Sequence, residues 1–168
     1  MQIRKGTPED LEQMMELYAQ ARVFMRENGN PNQWGDSHPA REMIEADIAA
    51  GKSYICTEGG EIAATFYFAV EDDPTYRIIE QGAWLCGGPY GVVHRITARQ
   101  GVRGAASFCL AWCYEQCGNL RIDTHQDNLP MRRCLERNGF SYCGIIHIAD
   151  GSERIAFQKP PRGGRVQD

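Results

Sequence analysis

Long hydrophobic runs are absent from this chain. No apolar stretch approaches the roughly 20 residues that a membrane-spanning helix needs, and residues 1–5 lack the apolar segment of a secretory signal peptide. An excess of basic residues is absent too, because 18 Lys and Arg stand against 22 Asp and Glu, a formal net charge of −4. We therefore expect a cytoplasmic protein that binds no nucleic acid and no membrane.

Paired cysteine motifs are also lacking. The chain has seven cysteines, an odd number, and none of them forms a Cys-x-x-Cys motif. Reduced thiols are therefore expected in a cytoplasmic chain of this size. Cys109, Cys113 and Cys117 share one face of a predicted helix, but a metal site would need further ligands converging there. We interpret the three thiols as packing residues and predict no metal site.

Low complexity, repeats and internal linkers are absent from the 168 residues, a length that suits one domain with a core of its own. Hydrophobic periodicity and turn residues predict the order β-α-α-β-β-β-α-β-α-β-β. This order indicates an α/β domain of the α+β type, with helices flanking a mostly antiparallel sheet. The predicted strands cover residues 2–5, 53–57, 62–70, 90–98, 120–124, 140–149 and 154–158, and the helices begin near residues 7, 40, 107 and 128.

A segment rich in small residues, 99–106, joins the predicted strand 90–98 to the helix that follows. Small residues let the backbone approach a ligand, and the first N–H groups of a helix attract anions. The segment is thus a candidate cradle for a phosphate or pyrophosphate. It matches neither a P-loop nor a dinucleotide fingerprint, and taken alone it is equally compatible with a plain turn.

A second segment changes this balance. The run Arg121-Ile-Asp-Thr-His-Gln-Asp-Asn128 leads to Asn138-Gly139-Phe140. Together with the glycine loop and the strand order, it resembles the GNAT superfamily of acyl-CoA N-acyltransferases. The resemblance covers residues 1–159, and residues 90–159 carry its specific motifs. It implies a single GNAT-like domain over 1–159, with six to seven strands and about four helices, followed by a flexible tail at 160–168.

The resemblance also implies acetyl-CoA as co-substrate and assigns residues to it. Asn128 matches the family residue that contacts the cofactor arm. The strand before the loop would contact the pantetheine arm through Val93, Ile96 and Ala98. The backbone of the loop would hold the pyrophosphate, with the residues Gly101, Val102, Arg103, Gly104, Ala105 and Ala106.

Two positions depart from the family pattern. Gly101 stands where the loop usually begins with Gln or Arg, although a cradle built from backbone N–H groups tolerates this change. Leu135 stands where many members carry the Tyr that protonates the departing thiolate. Tyr142 is a candidate substitute, against the alternative that it packs on the sheet. His94 is the candidate general base, against the alternative of a hydrogen-bonded core histidine.

The amine acceptor is expected to meet the N-terminal half, where Gln33, Trp34 and Asp36 lie between the first two helices. Trp34 would wall the amine pocket or, equally, anchor the loop on the core. The predicted function is transfer of an acetyl group to the primary amine of a small molecule or peptide, by direct attack in a ternary complex. A non-catalytic acyl-CoA sensor is the alternative, because Leu135 replaces the general acid. Relatives are often dimers, which makes a homodimer a further hypothesis.

Overall fold

The computed structural model describes residues 1–163. Residues 164–168, most of the predicted tail, lie outside the described part. The helices are α1 (Leu11–Glu27), α2 (Arg41–Ala49), α3 (Ala105–Cys117) and α4 (Leu129–Arg137), with 3-10 turns at Pro8–Asp10 and Pro74–Tyr76. The strands are β1 (Gln2–Lys5), β2 (Ser53–Glu58), β3 (Glu61–Val70), β4 (Gly91–Ala98), β5 (Leu120–Thr124), β6 (Ser141–His147) and β7 (Glu153–Lys159).

The seven strands form one sheet in the order β1-β2-β3-β4-β5-β7-β6. The pairs β1–β2, β2–β3, β5–β7 and β6–β7 are antiparallel, whereas β4 and β5 are parallel. The predicted fold class is therefore confirmed: a single α/β domain with a mostly antiparallel sheet and four helices. No helix among residues 1–163 is long and apolar enough to span a bilayer.

Most predicted boundaries differ from the observed ones by at most two residues, for local reasons. The exception is α1, which begins at Leu11 after the 3-10 turn Pro8–Asp10, whereas the sequence predicted a helix start near residue 7. Helix α3 begins at Ala105 because the Gly104 carbonyl accepts the first helical hydrogen bond, from Phe108 N at 2.9 Å. Strand β6 ends at His147, since Ile148 N instead bonds to the Ser152 carbonyl across the turn. Asn128 caps α4 from outside the helix rather than beginning it.

The residues of the domain form two compact units. The first holds residues 1–68 and 94–110; the second holds residues 69–93 and the described residues from 111 onward. In the first unit, one face of α1 buries Leu11, Met14 and Tyr18, whose spacing follows the helical period. This face packs against Ile44 of α2 and the strand residues Ile55 and Ile62 to form a core cluster.

In the second unit, the long connection 71–89 is fastened by a buried cation. Arg121 on β5 is 7% exposed, and its guanidinium lies 4.3 Å from the centroid of Trp84 and 4.1 Å from that of Tyr90. Its Nη2 donates to the Cys86 carbonyl at 2.8 Å. Stacking and hydrogen bonding thus hold a connection that has little regular structure to the strand it covers.

The seven cysteines are free thiols. Cys109 and Cys113 are fully buried on α3, and burial raises the pKa of the Cys113 thiol well above its usual range. Cys117 is partly exposed, with its Sγ 3.3 Å from the Cys113 carbonyl. Among residues 1–163 no group of three or more His, Cys, Asp or Glu side chains is arranged to hold a metal ion. The buried side chains of Cys109 and Cys113 pack as small apolar groups.

An acidic residue secures the start of α1 and generates a prediction on stability. Asp10 accepts two hydrogen bonds from Arg4, at 2.8 and 2.9 Å, and two from Thr7. The Arg4 bonds, followed by those from Thr7, lower the pKa of Asp10 to about 2. A depressed native pKa stabilises the fold above the unfolded pKa of about 4, and this stabilisation is lost as pH falls towards 2.

We therefore expect Asp10→Asn to reduce the free energy of unfolding at pH 7 by about 2 kcal/mol. The reduction should shrink steadily as pH falls from about 4 to about 2, because the wild-type carboxylate then also loses its charge. Urea denaturation at several pH values measures this. A wild-type to Asp10→Asn difference that does not change with pH contradicts the assignment.

Candidate active site

The glycine loop between β4 and α3 forms a turn that contains two left-handed glycines. Gly101 and Gly104 have φ angles of +84° and +77°, in the left-handed region where residues with a side chain are disfavoured. Val102 N donates to the Arg99 carbonyl at 3.2 Å, which closes the first bend. A Cβ atom built on either glycine would meet no protein atom within 4 Å. The space in front of both glycines is therefore open to a ligand.

Helix α3 begins directly behind this loop. Its first N–H groups, from Ala105 onward, precede any possible partner within the helix, and the helix dipole places partial positive charge there. The first turn contains no acidic residue, and Arg103 is exposed just before it. Gly101, Gly104, Val102 and Ala106 are likewise accessible or partly accessible. The loop and the helix start together form a surface with the chemistry of an anion cradle.

Strand β4 leads into the cradle. Val93 and Ile96 are buried, at 1% and 8% exposure, and Ala98 is partly exposed. The ladder between β4 and β5 consists of two residue pairs, Gly91 with Leu120 and Val92 with Arg121. Most of the eight residues of β4 therefore lie outside this parallel ladder.

Arg95 interrupts the regular geometry of β4. Its φ angle is +52°, and a residue with a side chain pays an energetic cost in this conformation. In a regular strand, successive side chains point to opposite faces. Here His94 and Arg95 both reach the same ring: the imidazole lies 5.6 Å from the centroid of Tyr67, and the Arg95 guanidinium carbon 5.0 Å from it. His94 and Arg95, neighbours in the sequence, therefore both contact Tyr67.

A half-buried ion pair holds the Arg95 side chain. Its Nη2 contacts the Asp47 carboxylate of α2, and both side chains are 14% exposed. The Arg95 Nε is buried without a hydrogen-bond partner in residues 1–163. Tyr18 of α1 lies in the electrostatic field of both charges, and its burial raises the pKa of the phenol to about 12. This polar cluster joins α1, α2, β3 and β4 within the first unit.

The loop predicted to meet the acceptor is attached to the same unit. Trp34 packs edge-on against Tyr18, with ring centroids 5.8 Å apart, and it borders the core cluster. Gln33 Oε1 accepts a hydrogen bond from Asn30 Nδ2 at 2.8 Å. The Asp36 side chain is 96% exposed and lies 3.6 Å from Arg26. The contacts of Trp34 are those of an anchor for the loop, whereas an acceptor role for these three residues stays a prediction.

Three further sequence positions lie in the second unit. Asn128 is 8% exposed, and its Oδ1 accepts from Met131 N at 3.2 Å as the cap of α4. Leu135 is fully buried, as an apolar core residue of α4. Tyr142 is 51% exposed on the edge strand β6, with its ring 6.0 Å from that of Phe157. The proposed cofactor contact of Asn128 and the proton donation by Tyr142 stay predictions.

Sequence reasoning missed Asp47, Arg95, Tyr67 and the polar side of Tyr18. One local signal was available: the adjacent polar residues His94 and Arg95 break the apolar run of a strand that is otherwise buried. Their partners could not be read from the chain, because Asp47 stands 48 positions before Arg95 on a different element.

Comparison with known proteins agrees with the fold. No protein-family model and no curated protein matches the chain. Among solved structures, a GNAT-family acetyltransferase from Streptococcus agalactiae 2603 is 31% identical, with a TM-score of 0.88, over 96% of this chain and 95% of that one. A putative acetyltransferase from Staphylococcus aureus Mu50 is 22% identical, with a TM-score of 0.69, over 95% of this chain and 99% of that one.

A third structure contains acetyl-CoA. It is a putative acetyltransferase from Salmonella typhimurium with its cofactor acetyl-CoA, 13% identical, with a TM-score of 0.64, over 99% of this chain and 97% of that one. The fold is thus that of the GNAT acetyltransferases. On the strength of the Streptococcus structure, which matches over nearly the full length of both chains, this chain belongs to the GNAT family.

The backbone strain at Arg95 can be tested by comparing two substitutions that shorten its side chain. Both Arg95→Gly and Arg95→Ala remove the ion pair, but only glycine adopts a positive φ without a steric cost. We expect Arg95→Gly to be more stable than Arg95→Ala by about 1 kcal/mol, measured as the free energy of unfolding in urea. At Thr97, which has no positive φ, the order should reverse. The same order at both positions would argue against strain at Arg95.

Proposed function

We propose that this chain transfers an acetyl group from acetyl-CoA to the primary amine of a small molecule or peptide. The observation that carries the proposal is the cradle at residues 101–106. Two left-handed glycines with open space before them lie at the start of a 13-residue helix, and residues of its first turn bear no acidic charge. A pyrophosphate is an anion of the size and charge that backbone N–H groups in such a loop bind.

Each part of this surface has a task in the proposed complex. The N–H groups of Arg103, Gly104, Ala105 and Ala106 bind the pyrophosphate in a loop that the bond from Val102 N to the Arg99 carbonyl closes. Strand β4 binds the pantetheine arm through Val93, Ile96 and Ala98. Acetyl-CoA supplies an acetyl thioester, whose carbonyl a backbone N–H of β4 polarises. Support comes from the short β4–β5 ladder of two residue pairs, since most of β4 lies outside it. A contact of Asn128 with acetyl-CoA remains a prediction.

The His94 imidazole is the proposed acceptor of the proton that the amine loses. An imidazole titrates near neutral pH and can hold that proton while the amine attacks. His94 is partly exposed on β4, and its ring rests on Tyr67. A half-exposed imidazole beside an aromatic ring is both held in place and accessible to a substrate.

Release of the thiol does not depend on the missing tyrosine. Leu135 is buried in the core of α4 and cannot donate a proton. A thiol has an ordinary pKa of about 8.5, so a thiolate is a fair leaving group near neutral pH. Tyr142, exposed on β6, is the proposed proton donor where one is needed.

The acceptor amine is proposed to meet Gln33, Trp34 and Asp36, with Asp36 attracting a cation. A cytoplasmic location and a homodimer remain predictions.

Binding of the co-substrate tests the cradle. We expect Gly104→Glu to abolish acetyl-CoA binding, because its carboxylate fills the open space and repels the pyrophosphate. The matched control is Gly118→Glu, at a glycine with φ +68° just after α3, where added atoms also meet nothing within 4 Å. Both variants carry the same backbone cost, so calorimetry should show loss of binding in Gly104→Glu alone. Unchanged affinity in Gly104→Glu would refute the proposed cradle.

An acyl-CoA sensor without catalysis is the second candidate, and the observation that favours it is the apolar Leu135. Thiol release from acetyl-CoA with a broad panel of amines separates the two. We expect amine-dependent release by the wild type and a loss of about 100-fold in His94→Ala, with acetyl-CoA affinity retained. Binding without release for any amine would favour the sensor. Wild-type turnover in His94→Ala would remove His94 as the base.

A further inference from the structure

A chain of polar contacts in the first unit runs from α2 to the proposed base. Asp47 pairs with Arg95, the Arg95 guanidinium lies 5.0 Å from the Tyr67 ring, and that ring lies 5.6 Å from His94 at an angle of 41°. Tyr18 lies in the electrostatic field of the ion pair, and its ring contacts Trp34 of the predicted acceptor loop. The proposed acceptor loop and the proposed base thus meet through one cluster.

The strained backbone needs support from such contacts. Two residues other than glycine have positive φ angles in the described part of the chain, Gln81 and Arg95, and of these Arg95 alone lies within a strand. A left-handed residue persists where its surroundings determine it more strongly than the strain opposes it. The Asp47 carboxylate and the face of Tyr67 are the contacts that hold this side chain.

Stability alone accounts poorly for this ion pair. Removing two charges from water costs free energy that their attraction barely repays, so a half-buried pair adds little net stability. A second Arg–carboxylate pair, Arg41 with Glu12, already links α2 to α1 at the surface, with distances of 2.6 and 3.0 Å. Beyond linking α2 to β4, the Asp47–Arg95 ion pair fixes the position of Arg95 and, with it, the position of His94.

We infer that Asp47 is a positioning residue for His94, which acts by holding Arg95 in its left-handed conformation so that the imidazole rests on Tyr67. This inference builds on the proposed acetyl transfer. The contacts it uses are those of Tyr67 with His94 and Arg95, and of Arg95 with Asp47. Without the carboxylate, Arg95 relaxes towards ordinary strand geometry and the imidazole leaves the ring.

The test compares Asp47→Asn with Glu12→Gln, each of which converts a paired carboxylate to an amide. In the wild type, the Tyr67 ring current shifts the His94 ring protons, which a His94→Gln variant assigns by NMR. We expect this shift to collapse in Asp47→Asn and to persist in Glu12→Gln. We also expect kcat to fall about 10- to 100-fold in Asp47→Asn, with acetyl-CoA affinity unchanged. Asp47→Glu should restore part of both signals.

The outcomes separate this inference from the proposed function. An unchanged His94 resonance in a folded Asp47→Asn protein overturns the positioning role, whatever the activity. A wild type that releases no thiol with any amine overturns the proposed function, while the NMR comparison still decides the positioning role. A collapsed shift with unchanged kcat would also overturn the inference, because His94 placement would then have no catalytic consequence. A fall in kcat that Asp47→Glu fails to reverse, without a change in the His94 resonance, indicates a purely structural role.

Discussion

The arrangement of the proposed catalytic groups depends on one constraint, the left-handed backbone of Arg95 inside β4. At that residue the alternation of strand side chains fails, so that His94 and Arg95 meet the same tyrosine ring. The Asp47 carboxylate holds the guanidinium and thereby opposes the strain. The left-handed residue thus lies where the proposed base His94 and the Arg95 cation both contact Tyr67.

A second departure from regular backbone follows a few residues later in the chain. The left-handed Gly101 and Gly104 lie between β4 and α3, and a Cβ added at either would meet nothing within 4 Å. Both features use backbone conformation rather than reactive side chains. The proposed cradle tolerates Gly101 in place of the usual family residue, because a site built from N–H groups depends on φ angles more than on side-chain identity.

Most of the fold could be predicted from the chain because its signals are local. Apolar residues at helical or alternating spacing, with Gly and Pro at the ends, located the seven strands and four helices to within two residues, except for the start of α1 at Leu11. The glycine loop could be located in the same way, because its small residues are neighbours in the sequence. By contrast, the pairing of Asp47 with Arg95 joins residues 48 positions apart, and tertiary packing alone decides it. Tyr18 follows the apolar period of α1, and its place beside two charges is invisible to periodicity.

The central claim is that the backbone of residues 101–106 binds the pyrophosphate of acetyl-CoA. Its most direct test is an NMR titration of the wild type that follows the amide N–H resonances as acetyl-CoA is added. The account predicts the largest shifts at Arg103 to Ala106 and smaller ones along β4, with weaker effects from ATP or NAD at the same concentration. Saturable binding of acetyl-CoA that leaves the 101–106 amides unshifted, or no binding at all, would contradict it.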